Sequence, residues 1–92
     1  MNQFRFIGNL SGWKGDARLF AVNPPVKYDD KETSFVIVSG VYVIGKPETY
    51  IFPADESGEC LSFVEMDGSF KGAIDHEKAL QNAGYGAANA TS

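Results

Sequence analysis

The chain has 92 residues, with 8 Lys and Arg against 12 Asp and Glu, a formal net charge of −4. Hydrophobic residues make up 43% and charged residues 22%, the composition of an ordinary soluble globular domain. The length leaves room for one modest core, and no run reaches the roughly 18–20 apolar residues that span a bilayer.

Residues 3–7 alternate and predict a first strand, with Phe4 and Phe6 on one face. Gly8-Asn9-Leu10-Ser11-Gly12 carries turn chemistry, because Gly and Asn tolerate positive φ. Trp13 follows in the same loop. Residues 17–22 predict a second strand. Asn23-Pro24-Pro25 is expected to end it, since proline donates nothing to a ladder. Residues 26–33 are polar and read as a connecting loop.

Residues 34–44 carry the strongest signal. Val36, Ile37, Val38, Val41, Val43 and Ile44 are β-branched, and Phe35 and Tyr42 are aromatic. The run is apolar on both faces, which predicts a central strand covered on both sides. Gly40 inside it suggests a bulge or bend. Gly45-Lys46-Pro47 turns the chain, and residues 48–52 predict a fourth strand stopped by Pro53. On that strand Thr49 and Ile51 face one way, Tyr50 and Phe52 the other. If the second pair points outward, it makes an apolar patch beside an acidic loop. Residues 54–59 form that loop. Residues 60–66 predict a fifth strand, closed by Asp67-Gly68.

The period then changes. Residues 75–83 predict one short helix with Asp75 as N-cap and Gly84 at the left-handed C′ position. Leu80 and Tyr85 fall at C3 and C″, the pair that touches in a Schellman cap. So short a helix must dock on the sheet. The expected fold is α+β: a roughly five-stranded, mainly antiparallel sheet with one short C-terminal helix. The domain spans residues 1–85, and residues 86–92 read as a flexible tail.

Charge is unevenly placed. Residues 1–47 carry six basic and four acidic groups, a net of +2. Residues 48–92 carry eight acids against Lys71 and Lys78, a net of −6. Most charge runs are solvated faces. The sharper reading is an acidic surface that meets a basic partner. No Lys/Arg cluster is present to neutralise phosphates, which argues against direct nucleic-acid binding.

No residue set points to catalysis, a metal or a cofactor. Cys60 is the sole cysteine, so no internal disulfide forms. Cys60 and His76 are the only thiol and imidazole, and the first turn of a helix disfavours an imidazolium. The acids of residues 55–67 do not match the spacing of a calcium-binding loop. Phosphate-loop patterns are absent.

The first functional expectation is a small non-enzymatic protein-binding module. Its partner surface would use Asp55, Glu56, Glu59, Glu65 and Asp67 with Trp13 and Tyr50. The alternative is a small-molecule or anion site at the helix start, with Gly72, Asp75 and His76. A third is a structural subunit that homo-oligomerises through an uncovered sheet edge. No membrane association is expected.

The progression Thr49-Tyr50-Ile51-Phe52-Pro53-Ala54, then Asp67-Gly68-Ser69-Phe70, Gly72, Asp75-His76-Glu77-Lys78-Ala79-Leu80 and Ala83-Gly84-Tyr85 covers the second half of the chain. It resembles small proteins encoded by bacteriophages and actinobacterial genomes. The resemblance implies a cytoplasmic setting and an accessory or counter-defence role in which a host protein is bound. It supplies no catalytic residues.

Overall fold

The structure is a computed structural model that describes residues 2–87. Four long strands follow one another: β1 Gln3–Leu10, β2 Asp16–Tyr28, β3 Lys31–Val43 and β4 Lys46–Ala54. Then come β5 Phe70–Lys71, helix α1 His76–Asn82 and β6 Gly86–Ala87. The sheet order is β5-β4-β3-β2-β1-β6. Every pairing is antiparallel except that of β6 with β1. The fold is therefore the expected α+β meander, with six strands in place of five. Gly86 and Ala87, read from sequence as the start of a tail, pair with Gln3 and Phe4. Residues 88–92 lie outside the described residues.

The prolines read differently in three dimensions. β2 runs on past Asn23-Pro24-Pro25, whose first bond is cis. Its register with β3 breaks between Ala21 and Val26, then resumes as Val26↔Thr33 and Tyr28↔Lys31. The expected loop over 26–33 is thus a hairpin that turns on Asp29-Asp30, with Asp29 in the left-handed region at φ 51. β4 likewise passes through Pro47 and Pro53. Gly72 N–H donates to Pro47 O at 2.9 Å and Leu61 N–H to Pro53 O at 2.8 Å. Both prolines therefore aim their polar backbone at the edge away from β3, where a missing donor breaks no ladder bond with β3.

That edge accounts for the largest correction. Residues 60–66 do not form a fifth strand. Leu61 and Met66 each donate one amide to β4, and Ala54 and Cys60 make an isolated bridge. Pro53 offers no donor in return, so pairing cannot propagate. Ile51 N–H finds the Ser69 hydroxyl at 2.9 Å instead.

The sheet is buried on both faces, as the apolar run of β3 requires. Val36 and Val38 join Phe4, Phe20, Val22 and Ile51 under helix residues Ala79 and Leu80. Ile37 points the other way and packs with Ala17, Leu19 and Ala54, against Leu10, Trp13, Phe35 and Cys60. The helix end is the predicted Schellman cap: Tyr85 N–H reaches Leu80 O at 3.0 Å and Gly84 N–H reaches Gln81 O at 2.9 Å. Asp75 caps the start by accepting from Lys78 N–H at 3.0 Å.

Gly40 is neither bulged nor bent. It pairs regularly with Asp16 and Thr49. Its role is clearance, because a Cβ there would lie 2.2 Å from Ile74 Cγ2. Gly40→Ala is expected to cost about 1–3 kcal/mol through overpacking. Ile74→Ala in the same chain should recover part of that loss, a coupling that urea denaturation of the two single variants and the double variant would measure.

The β3–β4 turn is Ile44-Gly45, at φ 52 and 76. The left-handed region costs a β-branched residue about 1–2 kcal/mol, whereas Asn visits it readily. Ile44→Asn is therefore expected to raise stability by about 1 kcal/mol. The urea midpoint should rise while the denaturant slope stays constant.

Candidate functional site

Strand alternation decides which pair on β4 faces out. Thr49 and Ile51 are buried on the helix side. Tyr50 and Phe52 lie on the other face, where they meet Trp13 and Phe63. Trp13 stacks on Phe52 at 6.0 Å between ring centres and 29° between planes. Phe63 approaches Phe52 edge-on at 5.8 Å and Trp13 at 6.0 Å. Tyr50 also stacks on Phe52, at 6.2 Å between ring centres. Phe63 is 75% exposed, so the cluster is open to water on that side. Offset and edge-on contacts at these spacings are the favoured geometries of aromatic pairs.

The neighbouring acids divide into two groups. Asp55 holds its own loop. Its Oδ1 accepts from the Ser57 hydroxyl at 2.6 Å, Ser57 N–H at 2.9 Å and Glu59 N–H at 3.0 Å. The Ser57 hydroxyl, then the Glu59 amide, hold its carboxyl below the usual range. Gly58 lets this loop close over the second core, since a Cβ there would lie 2.7 Å from Leu10 Cδ2. Glu56, Glu59 and Glu65 are exposed. Glu48 is buried and accepts a short hydrogen bond from the Tyr50 hydroxyl. That bond pushes the phenol up to about 12, with a smaller contribution from the Glu65 charge. Glu65 thus lies within electrostatic reach of the rings, and Asp67 lies beyond them on the helix side.

The helix side carries a separate groove of about 420 Å³. Val26, Met66 and Ala83 form its accessible apolar wall over the buried Val36, Ile51 and Leu80. Lys27, Asp29, Glu65 and Asp67 edge it.

Gly72, Asp75 and His76 are drawn into the fold's own bonds. Asp75 N–H donates to the Thr49 hydroxyl at 3.1 Å, which donates in turn to Ala73 O at 2.8 Å. His76 is 5% exposed, and its Nε2 bonds to Asp16 O at 2.8 Å. These contacts seat α1 on the sheet. Cys60 packs on the opposite face from His76, with its thiol donating to Ser62 O at 3.1 Å, and burial pushes the thiol pKa up. The two side chains do not form a nucleophile–base pair. Among the described residues no group of three or more His, Cys, Asp or Glu is placed to hold a metal ion, and no helix is long and apolar enough to cross a membrane.

Sequence reasoning placed Trp13 and Tyr50 in one surface but missed Phe63. Leu61-Ser62-Phe63-Val64 reads as strand interior, and that reading hid an exposed ring. The groove had no local signal, because its wall comes from three separate segments. The chain matches no family model, no curated protein and no solved structure.

The depressed carboxyl of Asp55 gives a pH test. Its ionised form is favoured by folding, so its contribution is complete above the unfolded pKa and is lost as pH falls through the lower folded value. Asp55→Asn should be less stable than the parent at pH 7. The difference in thermal midpoint should shrink as pH falls below the unfolded value of about 4 and through the lower folded one.

Proposed function

We propose that this chain is a small protein-binding module. Its recognition surface is the aromatic strip of Trp13, Tyr50, Phe52 and Phe63, rimmed by Glu56, Glu59 and Glu65. The observation that carries this reading is Phe63. A large ring 75% exposed against the Trp13 and Phe52 rings leaves apolar area in water that a partner would cover. Trp and Tyr are enriched at interface hot spots because they bring large rigid area at low entropic cost. The fitting partner is a protein surface that offers apolar side chains with Lys or Arg beside them. A cation would gain both from the carboxylates and from the ring faces. The resemblance to phage-encoded small proteins agrees with a host protein in that role.

Two of the five acids of residues 55–67 are placed apart from the rings' rim. Asp55 is engaged in shaping the loop, and Asp67 lies over the groove. Glu56, Glu59 and Glu65 remain as the rim. Electrostatic attraction from a rim acts mostly on the association rate and fades with salt.

A partner isolated by affinity capture and then purified allows a direct test by surface plasmon resonance. Phe63→Ser should weaken binding by about tenfold or more, chiefly through faster dissociation. The triple variant Glu56→Gln, Glu59→Gln, Glu65→Gln should slow association and flatten its salt dependence. Both variants should keep the parental circular dichroism spectrum. Parental affinity in both variants would place the contact elsewhere.

A further inference from the structure

Two other features have their apolar surface apart from the aromatic strip. The β3–β4 turn presents Tyr42, Val43 and Ile44 at 67, 42 and 96% exposure. Ile44 is the turn's outermost apolar group, and it occupies a backbone conformation that β-branched residues disfavour. Such an outlier points toward function, because the fold alone is better served by Asn or Gly. Lys46, also exposed, is the only charged side chain between Tyr42 and Pro47.

The groove toward the other end of β3 has the complementary character. Its wall is apolar, and its rim carries Asp29, Glu65 and Asp67 against Lys27, an excess of negative charge. The volume of about 420 Å³ falls within the range of natural ligand pockets and admits more than one aliphatic side chain. β3 has 13 residues, so roughly 40 Å of strand separates the turn from the β2–β3 hairpin that borders the groove. A chain cannot insert its own turn into its own groove.

We propose that the turn of one copy docks in the groove of a second copy. Ile44 and Val43 would cover Val26, Met66 and Ala83, and Lys46 would meet the Asp67 side of the rim. The contact joins unlike surfaces, so each copy keeps one open turn and one open groove, and assembly proceeds head to tail. A contact this small is weak, with dissociation on the order of 0.1–1 mM, and it weakens with salt.

Sedimentation velocity between about 10 µM and about 1 mM at low salt tests this, over a range that brackets a weak contact. The average mass should at least double across the range. Ile44→Asp disables the turn and should stay a single chain. Asp67→Lys with Val26→Lys disables the groove and should do the same. If Val26→Lys lowers the thermal midpoint, Asp67→Lys alone serves. An equimolar mixture of the turn variant and the groove variant should give two-chain species and nothing larger. A wild-type mass that stays at one chain overturns the proposal, as does association that persists in either variant or a mixture that stays monomeric. None of these substitutions alters Phe63, Glu56, Glu59 or Glu65, and self-association is read without the partner, so failure here and failure of partner binding are distinguishable although Glu65 borders both surfaces.

Discussion

The outer edge of β4 controls the second half of the molecule. Pro47, Thr49, Ile51 and Pro53 share one strand phase, and the bonds to Pro47, Ile51 and Pro53 run to segments on the side away from β3. Two of these four residues have no N–H. A strand laid along that edge would find acceptors without the matching donors, and a ladder needs both. The chain that follows therefore touches β4 at isolated points, through Leu61, Met66, Ser69 and Gly72. Only Phe70–Lys71, opposite Glu48 and Thr49 between the prolines, pairs as a strand.

Both candidate surfaces follow from that edge. A regular strand over 60–66 would place alternate side chains flat on the two faces. The irregular path instead carries Phe63 over the Trp13–Phe52 stack and brings Met66 to the helix side. Phe63 stays exposed because no element among the described residues lies above it. The groove stays open because Val26 and Ala83 stand on separate elements, and among the described residues no side chain fills the space between them. The prolines also prevent the edge from recruiting another chain by ladder pairing, since a strand deprived of donors is a poor template. At this edge side chains rather than backbone ladders are presented outward, as rings on one face and as the groove wall on the other.

How much of this could be read from the sequence depends on the range of the interactions. The helix and both caps were legible, because Asp75, Gly84 and the Leu80–Tyr85 spacing act within one turn of each other. The two-sided burial of β3 was legible for a related reason: the strand's own composition demands it. Pro53 was misread as a stop because the direction of its missing donor depends on which neighbour lies on each side. Gly40 was misread as a bulge because Ile74, the residue that requires the space, is far along the chain. The strand expected over 60–66 had the right side chains and the wrong edge to pair with. Tyr50 and Trp13 were placed in one surface from residue type, whereas Phe63 joins them only through the irregular path.

The uneven charge takes on a spatial meaning in the fold. Of the acids in the later half, Glu48 is buried against Tyr50, Asp55 ties its own loop and Asp75 caps the helix. These three serve the structure, and removing them would first alter the fold. Glu56, Glu59, Glu65 and Asp67 have no such duty among the contacts of the described residues: Glu65 and Asp67 edge the groove, and Glu56 and Glu59 are exposed in the loop before Cys60. A carboxylate that shapes a loop and one that faces a partner are alike in composition. They differ in which donors reach their oxygens, and that difference separates the acids engaged by the fold from those left exposed.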